Sequence, residues 1–206
     1  MNSADVVIIG AGMAGCISAK LLSARGLKVI LVDKLERSPP VFRAEKLEKD
    51  QIDLLYKFNL LDQRRPLAEP LGVNVNYKKG KVTKDHSVVQ YGIRYHDTVN
   101  QLRLEVSKYV DFRVAKVQSI VEGNQNNQSQ IVNLTDAEPL NAPLVIVASG
   151  YRSSLLKKRG VEYAQDRDLA SLSYGFDIER SDKSIFNSNA YGYFLKGGKR
   201  KCPLNR

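Results

Sequence analysis

A chain of 206 residues is long enough for one sizeable core, or for one domain with part of a second. Its apolar and charged fractions, 43% and 26%, are those of an ordinary globular protein, and no apolar run approaches the ~18–20 residues that span a bilayer. The net charge of +10 is spread over short groups such as Lys78–Lys79 and Lys157–Lys158–Arg159, with no interleaved aromatic residues. A solvated basic surface therefore explains the charge more simply than a nucleic-acid site or peripheral contact with an anionic membrane.

Asp5–Ile9 (DVVII) reads as a short buried strand, which the segment GAGMAG interrupts. From Met13 to Arg25 the apolar positions Met13, Ile17, Leu21 and Ala24 follow helical spacing, and Gly26 stands where the helix would end. Leu27–Val32 is a second buried strand, closed by Asp33. Strand, helix and strand in this order make a right-handed parallel crossover. Residues 34–44, with Ser38-Pro39-Pro40, read as an exposed loop.

The pattern turns helical again over Glu45–Leu61, with Leu47, Leu54, Leu55, Phe58 and Leu61 as the inner face. Residues 62–80 read as loop with one weak strand, and residues 85–94 contain a strand-like stretch. Asp97 is placed to cap a helix running to Tyr109, with Val99, Leu102, Val106 and Tyr109 on one face. Phe112–Val121 and Gln130–Leu134 alternate as strands around the polar segment GNQNNQSQ, a hairpin loop. Ala142–Ala148 is another buried strand, followed by Ser149–Ser154 and a short helix. Beyond Gly160, Leu172–Ile178 and Ala190–Leu195 read as antiparallel strands of a different sheet, which puts a domain change near residue 160.

Gly10, Gly12 and Gly15 form G-x-G-x-x-G, with Ala11, Met13 and Ala14 between them. The pattern is weak alone, but here it follows a strand, opens a helix and precedes an acid by about twenty residues. Gly10 permits the turn, Gly12 lets a pyrophosphate approach the backbone, and Gly15 lets helix and strand pack closely. The first helical amides then face the phosphates. Asp33 ends the second strand, where its carboxylate accepts from ribose hydroxyls and repels a 2′-phosphate, a repulsion that the cation of Lys34 partly offsets. The fingerprint reads an ADP moiety and leaves NAD and FAD both open.

Other chemistry-bearing residues give less. Cys16 and Cys202 show no metal-ligand spacing; Cys16 is either a thiolate favoured by the first turn of a helix or a small packing residue. His86 and His96 read as surface or loop residues. Tyr91 and Tyr95 flank an extended segment, to face a flavin ring or to fill the core.

The segment VVIIGAGMAGCISAKLLSARGLKVILVDK resembles the N-terminal FAD fingerprint of the para-hydroxybenzoate hydroxylase-like flavoproteins. These include aromatic-ring monooxygenases, ubiquinone-pathway hydroxylases, geranylgeranyl reductases and flavin halogenases. Phe42-Arg43-Ala44-Glu45, followed by a helix ending in FNLLDQ, is similar to the family segment in which an arginine contacts the coenzyme, so the resemblance assigns Arg43 to FAD. The helix carrying Gln101 and Arg103 resembles the one before the family's β-meander, and APLVIVASG resembles the return strand. That strand ends in D-G-x-x-S in the family; this chain has Ser149-Gly150-Tyr151-Arg152-Ser153, so Gly150 keeps its place while serine replaces the acid. The family's later Gly-Asp motif is absent, because no Gly-Asp dipeptide occurs in the sequence.

The resemblance implies an α/β fold: a Rossmann-like FAD-binding domain with a β-meander over residues 1–160, and the beginning of an incomplete antiparallel substrate-domain sheet over 161–206. It implies a cytoplasmic FAD-binding oxidoreductase, monooxygenase-like, acting on a small organic substrate with NAD(P)H as electron donor. The competing reading is a truncated or degenerate nucleotide-binding module that holds FAD or another ADP-containing coenzyme without turnover.

Overall fold

A computed structural model describes residues 2–41, 46–60, 68–70, 74–78, 81–85, 90–123, 129–150, 153–162 and 190–194. In chain order the elements are β1 (Val6–Ile9), α1 (Met13–Ser23), β2 (Val29–Asp33), β3 (Lys46–Glu48), α2 (Lys49–Lys57), β4 (Ala68–Pro70), β5 (Asn74–Lys78), β6 (Lys81–Asp85) and β7 (Gln90–Ile93). There follow α3 (Tyr95–Val106), β8 (Asp111–Val114), β9 (Val117–Val121), β10 (Gln130–Leu134), β11 (Leu140–Ala142), β12 (Leu144–Val147), α4 (Ser154–Lys158) and β13 (Ala190–Phe194).

A parallel sheet in the order β12-β1-β2-β8 centres the fold. Because side chains alternate along a strand, β1 and β2 feed two separate cores. Val6, Ile8, Val29 and Leu31 pack with Cys16 and Ala19 of α1, with Leu102 and Val106 of α3, and with Ile52 and Leu55 of α2. Val7, Ile9, Ile30 and Val32 face the other way, against Val132 and Leu134 of β10 and Leu140 and Ala142 of β11. Helices α1, α2 and α3 thus cover one face, and the antiparallel sheet β11-β10-β9, with Leu155 of α4, covers the other. A parallel strand buried on both faces has to be apolar throughout, as VVII is.

The sequence-based expectation for α1 holds in extent and shifts in face. The residues against the sheet are Gly15, Cys16 and Ala19, while Met13, Ile17 and Leu21 flank them half-buried. Small residues win this face because the helix lies close to β1. Gly26 takes φ +82° just beyond the helix, as a glycine stop should.

Several boundaries are corrected. The expected helix over Glu45–Leu61 begins only at Lys49, because Lys46–Glu48 pairs antiparallel with β7. The Glu48 amide donates to the Gln51 side chain at 2.9 Å, closing the helix start. Ile52 and Leu55 then point inward, and Leu54 is half exposed. Helix α3 begins at Tyr95 with Arg94 as its cap, so Asp97 sits inside the first turn, where it meets the positive end of the dipole. Tyr109 lies beyond that helix and is exposed, with the ammonium of buried Lys20 3.1 Å from its ring centroid. The alternation over Phe112–Val121 divides between β8 in the parallel sheet and β9 in the antiparallel one, and Ala115 and Lys116 carry the chain across. Only partial burial is found for β12, which has β1 as its one partner among the described residues; its Leu144 is exposed.

Ala190–Phe194 belongs to a different sheet, as the sequence suggests, but pairs in parallel with β5 instead of antiparallel. Strand alternation reads the same in both directions and does not encode orientation. Leu172–Ile178 lies outside the described residues. Among the described residues no helix is long and apolar enough to cross a membrane.

Candidate functional site

The turn between β1 and α1 is pinned one peptide plane at a time. The Gly10 amide donates to the Val32 carbonyl at 2.7 Å and binds the turn to β2. Gly10 itself adopts φ +105°, and a Cβ there would lie 2.5 Å from the Ala148 carbonyl oxygen. On Gly15 a Cβ would lie 1.8 Å from the Gly10 carbonyl oxygen. Both positions are closed to side chains by the protein's own backbone. Gly12 is different: it has ordinary backbone angles, and among the described residues a Cβ there would meet only the Tyr95 hydroxyl oxygen, at 3.7 Å. The three glycines of the fingerprint therefore divide into two that the fold requires and one that it does not.

Asp33 closes the site from the end of β2. Its Oδ2 accepts from the Ala11 amide at 2.7 Å and stands 3.1 Å from the Arg103 Nη2, while its Oδ1 accepts from the Leu35 amide at 3.0 Å. Each carboxylate oxygen has two acceptor sites, so capacity for hydroxyl donors remains. Beside it, past the carboxyl ends of β1, β2 and β8, opens a crevice of about 390 Å³. Gly10, Asp33 and Lys34 line it together with Lys116, Ser149 and Ser153. A crevice at the carboxyl ends of parallel strands is where open α/β sheets bind their ligands.

The structure thus brings Gly10, Asp33 and Lys34 together, with Ala11 and Gly12 at the turn and Met13 and Ala14 opening α1. Gly150 follows Ser149 with φ +81°, exposed, beyond the lining residues. The hydroxyl of Ser149, standing where the resemblance expects an acid, donates to that of buried Ser153 at 2.6 Å. Arg43, His86 and Cys202 lie outside the described residues. His96 is half-buried on α3, a correction to its reading as a loop residue, with Nε2 3.4 Å from Asp97 Oδ1. Tyr95 approaches Gly12, and Tyr91 packs against the helix-side core.

Sequence reasoning missed Lys116 and the role of Arg103. For Arg103 a signal exists: it completes the i, i+3, i+4, i+7 face made with Val99, Leu102 and Val106, and a cation at a core position needs a buried partner.

Of the two roles open to Cys16, the packing one is correct. The residue is fully buried, and burial pushes its thiol up to about 12; the Arg103 guanidinium opposes the shift and Asp33 adds to it. Because the folded value lies above the ordinary 9.0, the native chain keeps this proton while the unfolded chain sheds it, so stability falls as pH rises from about 9 to about 12. In a Cys202→Ser chain, a thiol reagent at pH 8 should leave Cys16 unmodified until denaturant is added. Stoichiometric labelling of the folded chain would contradict its burial.

Residues 3–195 match the family model described as FAD binding domain. The chain belongs to this FAD-binding family. FAD is accordingly its cofactor. Among curated proteins it is 24% identical over 164 residues to a rifampicin monooxygenase of Streptomyces venezuelae, which covers 77% of this chain and 34% of that protein. It is 41% identical over 61 residues to the squalene epoxidase erg1 of Aspergillus fumigatus, over 30% of this chain and 13% of that one. Its fold resembles that of the p-nitrophenol 4-monooxygenase of Pseudomonas putida, with a TM-score of 0.66 at 21% identity over 80% of this chain and 45% of that one. The chain thus spans less than half the length of each relative.

Proposed function

We propose that this FAD-binding chain carries the coenzyme-holding part of a monooxygenase-like oxidoreductase acting on a small organic substrate in the cytoplasm. The observation that carries the reading is the Asp33 carboxylate, which binds the Ala11 amide of the glycine-rich turn and lines the crevice at the carboxyl ends of the parallel strands. An adenosine-bearing diphosphate fits this arrangement: Gly12, Met13 and Ala14 would present backbone amides to the diphosphate, Gly10, Ala11 and Gly15 would shape the turn that carries them, Asp33 would take the ribose hydroxyls, and Lys34 would face the anion. We assign Arg43 and Gly150 to the same coenzyme from the resemblance of their segments to the family's motifs. We assign residues 1–160 to the FAD-binding domain and 161–206 to the start of a substrate domain, whose strand β13 pairs with β5 of the first segment.

Bound FAD supplies two-electron redox chemistry, carrying electrons from a reduced nicotinamide to dioxygen or to the organic substrate. The chain's own contribution is to bind, to orient and to exclude water. Purified protein should be yellow and release FAD on denaturation; colourless protein that leaves the fluorescence of added FAD unquenched would count against the assignment. One observation favours a second reading, binding without turnover: Ser149 has no charge with which to do the work of the family's acid. NAD(P)H oxidation separates the two, since a binding module holds FAD and oxidises no nicotinamide.

A further inference from the structure

We propose that Arg103 is the positioning residue that aims the Gly12 amide at the coenzyme diphosphate, an inference resting on the coenzyme site proposed above. Arg103 projects from α3 with only 8% of its surface exposed. Its Nε donates to the Ala11 carbonyl at 2.7 Å, its Nη1 to the carbonyls of Leu35 and Glu36 at 2.5 and 3.0 Å, and its Nη2 pairs with Asp33. One planar fork therefore joins the glycine-rich turn, the acid at the end of β2 and the loop that follows it. The Phe112 ring, centred 5.9 Å away, helps to hold it in place.

The consequence for the ligand follows from peptide geometry. In a planar trans peptide the carbonyl of one residue and the amide of the next point in opposite directions, and the described residues contain no cis bond. The Ala11 carbonyl is drawn inward by Arg103, with the Cys16 thiol as a second donor at 3.5 Å. The Gly12 amide must then face outward. In the preceding plane the Ala11 amide turns to Asp33, so that amide is spent inside the protein and cannot serve a phosphate. Gly12 is thus the first amide of the turn available to an anion, and its direction is set by a side chain 91 residues away. A lysine could keep the charge beside Asp33, but a single ammonium cannot serve Ala11, Leu35 and Glu36 in one plane.

The test uses the full chain, titrated calorimetrically with FAD and with ADP. Arg103→Met should lower both affinities about tenfold to hundredfold, the loss of a charge-assisted hydrogen bond's worth of aim, and Arg103→Lys should recover little of it. A merely structural arginine would lower the melting temperature and disturb the whole site, so the amide spectrum supplies the separate readout. In the wild-type chain ADP should shift the Gly12 amide signal. In Arg103→Met, ADP at saturating concentration should no longer move that signal, while those of Ala115 and Val117 in the crevice still respond. Wild-type affinity in either variant overturns the proposal. Should neither variant fold, the wild-type spectrum decides: a Gly12 amide unmoved by bound ADP overturns it equally. A wild-type chain that binds neither FAD nor ADP instead refutes the coenzyme site itself, and the inference falls with it.

Discussion

Gly12→Val is expected to abolish FAD binding in a chain that still folds, and Gly12→Ala to weaken it about hundredfold or more. At this position the ligand needs glycine and the protein does not. Gly12 has φ −75° and ψ −174°, which any residue adopts, and a Cβ there lies 3.7 Å from the Tyr95 hydroxyl, an ordinary contact. As the cap of α1 an alanine is poorer than glycine, so the folding cost should stay near or below about 1 kcal/mol. A bound diphosphate has no such tolerance, because hydrogen bonds to the outward Gly12 amide bring its oxygens to about 2.9 Å from the backbone nitrogen. A methyl group occupies that approach, and losing a charge-assisted bond together with the close fit costs about 3 kcal/mol, or roughly a hundredfold in affinity. Thermal melts of the coenzyme-free chains should nearly coincide, and fluorescence titrations with FAD should diverge. Retained affinity in Gly12→Val would show that the diphosphate does not lie over this turn.

How much of this was legible in the sequence varies along the chain with the range of the determining forces. The β1–α1–β2 unit was readable because its signals are local: continuous apolar strands, glycines at a fixed spacing and Asp33 in register with them. Helix α3 was readable from Val99, Leu102 and Val106, yet its start was misplaced at Asp97. Asp97 is a good cap by type, but the helix begins two residues earlier, directly behind β7. The region around residues 45–48 failed for the same kind of reason: Lys46–Glu48 has helical neighbours and a helical pattern, and a cross-strand partner 44 residues away overrides both. Within the site, Gly10, Gly12, Gly15 and Asp33 announced themselves by spacing. Arg103 shows only as a cation on the apolar face of α3 and Ser153 only through the resemblance of its motif, whereas Lys116 reaches the site through sheet order, which no window of sequence contains.

The second large effect concerns Gly15, where helix propensity and packing predict opposite signs. Alanine in place of glycine inside a helix gains about 1 kcal/mol from backbone entropy. At this position, however, the added Cβ would stand 1.8 Å from the Gly10 carbonyl oxygen and 3.0 Å from its carbon, both backbone atoms. Neither side can yield easily. Gly10 is tied to β2 through the Val32 carbonyl at 2.7 Å, and the Ala148 amide ties β12 to the Ile9 carbonyl at 2.7 Å directly below. To make room, α1 would have to lift by more than an ångström, pulling Cys16 and Ala19 off the sheet and opening a void where both are now fully buried. Overpacking of this kind costs about 3 kcal/mol and exceeds the propensity gain. Against a total stability of about 5–15 kcal/mol, Gly15→Ala should lower the melting temperature by about 5–10 °C or leave no folded chain to purify. Alanine at 15 that proves neutral or stabilising would mean that α1 does not lie this close to β1, and the outward amides of the turn would lose the support that directs them.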